Sequence, residues 1–222
     1  MVSLVVEASN GFLSLACLDD NQVISERNIE CSNNLSEVIL QEIVLCLNEA
    51  GKKKSDLKEI ISSSGPGSYT AIRVVAAVCK TLAYTLKINL KIISSLKFQA
   101  LLEYESENLI VPLIDARRGY VFSAVYKKNK NDFVEILKEG YYSLEEVNKF
   151  LLDSGENVVY VGKDVSKLKE KLLVGEQFSY NKNDIRAKNV LKVYDSLKIV
   201  DSYNMKPQYL RKTEAERGLK ND

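Results

Sequence analysis

The N-terminal third of the chain alternates between strand-like and helix-like hydrophobic patterns. Apolar, β-branched runs predict three antiparallel strands over Val2–Glu7, Phe12–Leu18 and Val23–Ile29. Asn10-Gly11 is predicted to give a tight turn with two positive φ angles between the first two strands. Asp20-Asn21 predicts a second turn. The chain therefore opens with a three-stranded meander.

Helical spacing of apolar residues follows the meander. The pattern predicts a first helix from about Leu35 to Ala50, a strand over Leu57–Ser63, a second helix from about Tyr69 to Leu86 and a strand over Leu90–Ser94. The strand–helix–strand portion implies a right-handed parallel crossover. Three antiparallel strands followed by helix, strand, helix and strand form the order of the α/β ribonuclease-H-like fold that actin-like phosphotransferases share.

The second half resembles the start of a degenerate copy. Its predicted elements are helices near Leu96–Tyr104, Ser143–Leu152, Asp164–Leu172 and Asp184–Leu197, and strands near Leu109–Ile114, Val121–Tyr126, Phe133–Glu139 and Val158–Val161. Ser143, with Glu146 three residues on, predicts a capping box. We therefore expect two lobes, an N-terminal lobe over 1–97 and a smaller C-terminal lobe over 98–222 that ends in a basic tail.

Composition narrows the possible chemistry. The 222 residues are 45% hydrophobic and 27% charged, which is typical of a globular chain, and the net charge is +1. No global field attracts nucleic acid, so any RNA contact must come from a local patch. The chain has no histidine, which excludes Ser-His-Asp and Cys-His triads and histidine-ligated metal sites.

The cysteines and the N-terminal sequence indicate a cellular compartment. The four cysteines form no CxxC pair and are predicted to be reduced, buried thiols, at Cys17, Cys31, Cys46 and Cys79. The N-terminus lacks the pattern of a secretion signal, and no apolar run has the roughly 18 residues of a spanning helix. We expect a cytoplasmic protein that does not contact membranes.

The segment between the fourth strand and the second helix is a candidate for anion binding. It consists of Gly65, Pro66, Gly67, Ser68, Tyr69 and Thr70, with Arg73 one turn further on. It matches neither the dinucleotide fingerprint nor the P-loop, and Pro66 has no N–H to donate. A structural turn is favoured over an anion site, and Ser68 or Thr70 is predicted to cap the second helix.

Three other groups of polar residues are candidates. Asp115, Arg117 and Arg118 meet between two strands, where an internal salt bridge is favoured over a phosphate contact. Glu7 ends the first strand, where actin-like kinases carry a metal-orienting acid, but the bulky hairpin turn indicates impaired nucleotide binding. Tyr209 and Arg211 lie in a basic C-terminal stretch that either contacts RNA or forms a solvated tail.

Both N-terminal helices carry more apolar surface than one core contact needs. The residues predicted for a partner interface are Leu35, Ile39, Ile43, Ile72, Val75, Ala76, Cys79 and Ala83. Leu40, Val44 and Leu47 form a second apolar face on the first helix. The alternative to an interface is burial of both helices inside one core. If the interface prediction holds, a charged residue at Ile39 or Ala76 abolishes pairing without unfolding the chain.

Three separate motifs resemble the TsaB family, formerly YeaZ, which acts in making threonylcarbamoyladenosine in tRNA. They are GPGSYTAIR over Gly65–Arg73, IDARRGYVFSAVY over Ile114–Tyr126 and KPQYLRKTEAER over Lys206–Arg217. The chain departs from the family at Glu7-Ala8-Ser9, where Asp-Thr-Ser is usual, and at Cys31-Ser32, where His-Ser is usual. Tyr69 and Ala71 stand for the usual Phe and Gly.

The resemblance implies an actin-like fold with a truncated second lobe and no independent catalytic activity. It implies pairing with a TsaD-like catalytic subunit through the N-terminal helices, docking of a TsaE-like ATPase, and contact with tRNA through the complex. TsaD would then transfer threonylcarbamoyl from its adenylate to the adenosine beside the anticodon. The family implies no tightly bound cofactor in this chain, while ATP or ADP and Mg²⁺ are held by partners or at the interface.

Two points stay open at the level of sequence. The same helices that would face TsaD could form a homodimer. The alternative function is an active actin-like enzyme, a kinase or acyltransferase that binds ATP between its lobes. A glycoprotease-like peptidase is disfavoured because the chain has no histidine to act as base or metal ligand.

Overall fold

The first sheet is mixed and holds the opening meander. The computed structural model describes residues 1–31, 33–177 and 185–211. The strands of this sheet are β1 (Val2–Glu7), β2 (Phe12–Asp19), β3 (Gln22–Glu30), β4 (Leu57–Ser63), β5 (Asn89–Ile93) and, from far along the chain, β11 (Ile199–Val200). Their order is β11-β5-β4-β1-β2-β3, with β1 antiparallel to β2 and parallel to β4. The central strand β1 is buried along its whole length.

Two long helices cover one face of this sheet. They are α1 (Leu35–Glu49) and α2 (Tyr69–Leu86). Ile39 and Val75, one from each helix, pack with Leu4 and Leu15 of the sheet in one buried cluster. α2 ends where Lys87 takes a left-handed conformation with φ of 55°. The predicted helices are confirmed, and burial of one apolar stripe on each explains why they lie against the sheet.

The second sheet repeats the order of the first. Its strands are β6 (Leu109–Asp115), β7 (Tyr120–Asn129), β8 (Asp132–Ser143), β9 (Val158–Val161) and β10 (Glu176–Gln177). Their order is β10-β9-β6-β7-β8, and β6 is antiparallel to β7 and parallel to β9. Each of the five therefore occupies the place that β1 to β5 occupy in the first sheet. This repeat confirms the ribonuclease-H-like, actin-like fold class.

The helices of the second half are shorter than those of the first. They are α3 (Ser95–Ala100), α4 (Leu144–Ser154) and α5 (Val165–Leu168). The capping box at the start of α4 is confirmed, because Ser143 Oγ accepts from the N–H of Glu146 and Glu146 accepts from the N–H of Ser143. The helix predicted over Asp164–Leu172 is α5 followed by a 3₁₀ turn over Lys169–Lys171. The prediction of one continuous helix is therefore wrong.

A shared core lies between the two sheets. It joins Val5 and Ile61 of the first sheet to Ile110 and Val159 of the second. The 3₁₀ helix over Ala187–Ser196 also packs there, where an α-helix over Asp184–Leu197 was predicted, although Asp184 lies outside the described residues. Residues 187–200 thus return to the first sheet, where β11 pairs with β5.

A buried carboxylate fixes this returning segment. Glu59, on β4, accepts hydrogen bonds from Ser3 Oγ at 3.1 Å and from Tyr194 OH at 2.7 Å. Lys91 Nζ lies 3.0 Å from the other oxygen of Glu59 and 4.1 Å from the Tyr194 ring centroid. Paired buried charges of this kind are costly to break, so the network fixes where the 3₁₀ helix crosses the sheet.

Two further predictions can be compared with the structure. The four cysteines are free and buried, as predicted. Across the three described ranges, no helix has the length and apolar content needed to cross a membrane.

Candidate functional site

A cleft opens between the two sheets where equivalent turns from each half face each other. It has a volume of about 520 Å³. Its walls include Ser9 and Asn10, which follow β1, and Arg117, which follows the equivalent strand β6. They also include Ser68, after β4, and Lys163, after the equivalent strand β9. Parallel strands that end at one edge bring these turns together, as is usual at the carboxyl ends of strands in open sheets.

The Gly65–Ser68 turn is held by hydrogen bonds to two other segments. Ser95 N–H donates to Gly65 O at 2.8 Å, and Ser68 N–H donates to Ser9 O at 3.3 Å. A Cβ on Gly67 would lie 2.7 Å from Ser9 Cβ, so only glycine allows this close contact between the turn and the first hairpin. Because Ser68 N–H is already bonded to protein, the geometry supports a structural turn.

The capping prediction for this turn is corrected. Ser68 occupies the N-cap position of α2, but among the described residues its side chain makes no capping hydrogen bond. Its φ and ψ of −53° and 118° place it outside the extended geometry that a capping serine uses. Thr70 lies inside the helix. The signature residues Ser68, Thr70 and Arg73 are all exposed at the start of α2.

Each half of the cleft places one carboxylate at the end of its first strand. Glu7 Oε1 accepts from Ser9 N–H at 2.7 Å, and Asp115 Oδ1 accepts from Arg117 N–H at 2.8 Å. Both carboxylates therefore close a turn with the residue two positions on. Glu7 is fully buried and burial raises its pKa, whereas Asp115 stays partly exposed.

The first hairpin turn differs from its prediction. Gly11 has φ of +92°, whereas Asn10 is not in the left-handed region, so the expected pair of positive φ angles is wrong here. Asp20 and Asn21 do form such a pair, with φ of 44° and 63°. Lys163 Nζ donates to Asn10 O at 2.9 Å across the cleft. The hairpin is thus bonded to the opposite wall.

The predicted salt bridge in the second motif is not formed. Among the ion pairs of the described residues, Asp115 has none with Arg117 or Arg118. Both arginines have positive φ, 67° and 54°. Asp115 N–H instead donates to the buried Asp164, whose other oxygen lies 2.8 Å from Lys167 Nζ. The two arginines remain exposed beside the cleft.

The C-terminal motif lies against the signature turn. Gln208 N–H donates to Ser64 O at 2.7 Å, and Gln208 Nε2 donates to Glu139 Oε2 at 3.1 Å. The Tyr209 ring centroid lies 5.7 Å from that of Tyr69. Arg211 lies 5.2 Å above the ring of Tyr141 on β8. The signature turn and the C-terminal motif, which lie more than ninety residues apart in the sequence, therefore share one surface. The rest of the basic tail, residues 212–222, lies outside the described residues.

The eight side chains predicted for a partner interface lie inside the chain. All are less than one-tenth exposed, and all but Ile72 pack in one buried cluster with residues of the first sheet: Leu35, Ile39, Ile43, Ile72, Val75, Ala76, Cys79 and Ala83. A partner would meet the outer faces of the helices instead. On α1 this outer face carries Leu40 and Val44, which are 56% and 53% exposed. On α2 it carries Ala77 and the exposed Tyr84.

Sequence reasoning missed two residues that organise the site. Glu139 accepts from Ser94 Oγ, Tyr126 OH and Gln208 Nε2, and so joins the second sheet to the C-terminal motif. Tyr141 stacks on Tyr120. Tyr141 opposes Phe122 in the β7–β8 register, and that pairing cannot be read from either strand alone.

The chain was compared with known proteins. The family model described as "TsaD: tRNA N6-adenosine threonylcarbamoyltransferase" matches residues 29–211. The TsaB protein of Bacillus subtilis strain 168, a "tRNA threonylcarbamoyladenosine biosynthesis protein", is 28% identical over 97% of this chain and 96% of its own length. The TsaB protein of Buchnera aphidicola from Acyrthosiphon pisum is 29% identical over 59% of each chain.

Two solved structures superpose on this chain over most of its length. YeaZ from Pseudomonas aeruginosa superposes with a TM-score of 0.81 at 20% identity and covers 94% of this chain and 99% of its own. A second structure, described as similar to the peptidase YeaZ from the same organism, has a TM-score of 0.82 and covers 95% of this chain. At this identity the likeness concerns the fold.

Proposed function

Because the chain belongs to the TsaD family of tRNA N6-adenosine threonylcarbamoyltransferases, and within it to the TsaB (YeaZ) group, we propose that it acts in the biosynthesis of threonylcarbamoyladenosine in tRNA. The observation that carries this role is the match to a protein of that name over nearly the full length of both chains. In our proposal the chain is a non-catalytic subunit. It pairs with a TsaD-like subunit, which transfers threonylcarbamoyl from its adenylate to the adenosine beside the anticodon, and a TsaE-like ATPase docks on the pair.

The interior of the cleft supports a non-catalytic role. Lys163, Asp164 and Lys167 are already bonded to protein, since Lys163 Nζ donates to Asn10 O and Asp164 accepts from Lys167 and from the backbone of Asp115. Gly67 lies against Ser9 and Ser68 N–H donates to Ser9 O, so this N–H at the start of α2 is not available to a phosphate. The absence of histidine from the sequence removes the usual general base.

The outer face of α1 supports pairing. Leu40 and Val44 are neighbours one turn apart, and each leaves more than half of its surface in water. Because each side chain is already about half buried, its burial against a partner gains roughly half of the about 1.5–3 kcal/mol that a fully exposed side chain would gain. We propose that this face, continued by Ala77 and Tyr84 of α2, meets the TsaD-like subunit. A second copy of the chain would compete for the same face.

The test is a reconstituted modification reaction. TsaD, TsaE, the adenylate-forming enzyme and tRNA are combined with and without this chain, and threonylcarbamoyladenosine is measured by mass spectrometry. We expect the modified base only when the chain is present. The variant Leu40→Arg should pair with TsaD at least tenfold more weakly and lose the reaction in proportion, with an unchanged melting temperature.

Leu152→Arg is the matched control. Leu152 is 51% exposed on α4 of the second lobe, so the same change of residue type falls on a helix outside the proposed interface. It should leave pairing unchanged. Modification that proceeds equally well without the chain would refute the proposed function, and equal losses for both variants would refute the assigned face.

An actin-like enzyme that binds a nucleotide is the second candidate. The observation in its favour is the 520 Å³ cleft between the lobes with Arg117, Lys163 and Lys167 on its walls. It requires magnesium-dependent ATP binding that Glu7→Ala removes. Calorimetry of the chain alone with ATP and Mg²⁺ decides between the candidates, because the non-catalytic subunit should give no binding heat.

A further inference from the structure

Aromatic and cationic side chains from all three sequence motifs meet at the mouth of the cleft. We name as the motif surface Tyr69, Arg117, Tyr120, Tyr141, Tyr209 and Arg211. Tyr69 is the first residue of α2, Arg117 lies in the β6–β7 connection, Tyr120 and Tyr141 lie on β7 and β8, and Tyr209 and Arg211 belong to the C-terminal motif. The proposed pairing through α1 does not use any of these residues.

The aromatic rings of this surface form two exposed pairs. Tyr120 and Tyr141 are stacked, with ring centroids 4.7 Å apart and an interplanar angle of 3°. Tyr69 and Tyr209 form the second pair, with centroids 5.7 Å apart. Tyr120 stays 39% exposed, Tyr209 48% and Tyr69 55%. Rings that stack on each other and still reach water offer surfaces on which another planar group can stack.

Arginine is concentrated at the same place. Three of the seven arginines in the chain lie here, namely Arg73, Arg117 and Arg211, and Arg118 follows Arg117 in the same exposed turn. Arg73 lies 5.1 Å from the Tyr69 ring centroid and Arg211 lies 5.2 Å from that of Tyr141. Guanidinium groups bind phosphate in bidentate fashion and stack on bases, which lysine cannot do. The chain as a whole has a net charge of only +1, so this group of arginines is a local concentration of positive charge.

The surface is held in place before any ligand arrives. Gln208, next to Tyr209, is bonded to Ser64 and to Glu139. The carboxylate of Glu139 also accepts from Tyr126 OH and Ser94 Oγ, so its charge is occupied by protein donors. Arg117 and Arg118 are both fixed in the left-handed region. Preorganisation of this kind lowers the entropic cost of binding.

We infer that the motif surface binds a single-stranded segment of RNA, with a base stacked on Tyr120 or Tyr69 and backbone phosphates on Arg117 and Arg211. Stacking on tyrosine beside arginine requires bases that are not already stacked in a duplex, as in an RNA loop. The inference rests on the proposed function, which brings the chain to a tRNA substrate. It adds a direct RNA contact by this chain.

The experiment uses the full chain alone, at low salt, and a fluorescently labelled stem–loop RNA with an unpaired loop. Fluorescence anisotropy gives the dissociation constant. Tyr120→Ala should weaken binding about tenfold, because stacking a base on an aromatic ring is worth about 1–3 kcal/mol. Arg117→Gln should lower the slope of log affinity against log salt by about 0.7, the loss of one phosphate contact on a single strand.

Tyr203→Ala is the matched control. Tyr203 is also an exposed tyrosine, at 71%, but its ring lies against Lys80, eleven residues along α2 from Tyr69, or about 16 Å. It should leave RNA affinity unchanged. A fully paired duplex of the same sequence should compete poorly, since its bases are not accessible.

Several outcomes would overturn the inference. They are a wild-type chain that does not bind the stem–loop, equal affinity for Tyr120→Ala and wild type, or a duplex that competes as well as the loop. If Tyr120→Ala instead loses pairing with TsaD and keeps RNA affinity, the surface is a protein contact. These results are separate from the reconstituted reaction, which can succeed while the RNA contact fails.

Discussion

The two lobes share one strand order and differ in what covers it. In the first lobe, the turn after β4 leads into α2, which has 18 residues, whereas the turn after the equivalent strand β9 leads into α5, which has four. The long helices α1 and α2 expose apolar side chains on their outer faces, while the connection from β6 to β7 in the second lobe exposes two arginines. The strand order that both lobes share forms the cleft. The elements that differ, the helices α1 and α2 and the β6–β7 connection, carry the surfaces that we propose for protein and RNA binding.

The largest effect should come from a charge placed beneath α1. Ile39 is 1% exposed, so Ile39→Arg buries a cation without a partner and should cost about 4 kcal/mol or more, enough to unfold a marginally stable domain. This replaces the sequence-based expectation of a folded variant that fails to pair. Circular dichroism and thermal melting measure the loss, with the adjacent Leu40→Arg as the folded control. A cooperative melt near the wild-type temperature for Ile39→Arg would contradict the burial.

A smaller difference should separate the start of α4 from the start of α2. Ser143→Ala removes a capping bond to Glu146 N–H and should cost about 1 kcal/mol, whereas Ser68→Ala should be close to neutral because Ser68 makes no capping bond among the described residues. Urea unfolding of both variants measures the two costs. Equal costs would mean that the capping chemistry does not distinguish the lobes.

The smallest effect is expected at the carboxylate that ends β1. Burial raises the pKa of Glu7 above its ordinary value of 4.5, while Ser9 N–H and Lys163 oppose that shift. As pH rises from 4.5 to the raised folded value, the unfolded chain releases this proton first, so the folded state loses stability. Glu7→Gln should remove that loss, and its melting temperature relative to wild type should rise from pH 4 to pH 8.

Asp115→Asn is the comparison in the other lobe. Asp115 ends the equivalent strand β6 and makes the same turn hydrogen bond, but it is partly exposed. At pH 7 this variant measures the cost of weakening that turn hydrogen bond where the carboxylate is partly exposed. A pH-independent difference for Glu7→Gln would show that burial does not set the protonation of Glu7.

Hydrophobic periodicity was sufficient for most of the fold. The strands of the first lobe, α1 and α2 follow the predicted ranges because each has one apolar stripe or a fully buried run. Periodicity did not predict β11, since two residues give no pattern and their pairing with β5 depends on a distant chain segment. The 3₁₀ helix over Ala187–Ser196 was predicted as an α-helix because both geometries repeat apolar residues every three to four positions.

The sequence was enough to identify the motifs of the candidate site, but not to predict which of their residues contact one another. The residues of the three motifs are evident in the sequence, but their contact depends on Gln208, whose partners Ser64 and Glu139 lie 144 and 69 residues away. On α1, the residues predicted for the interface are those of the apolar stripe with the more regular spacing. That stripe is the one buried against the sheet. Leu40 and Val44 remained available on the outer side.

The return of the chain to its first sheet has a consequence for synthesis on the ribosome. β5 is made more than a hundred residues before β11, its edge partner, and before the 3₁₀ helix that covers the inner face of the sheet. At about 5–20 residues per second, that edge waits roughly 5–20 s for its partner. An open strand edge is a site of incorrect pairing between nascent chains. The helices α1 and α2, which cover the other face of the sheet, are synthesised before β5. The edge of β5 is therefore the part of this sheet that a chaperone would need to shield.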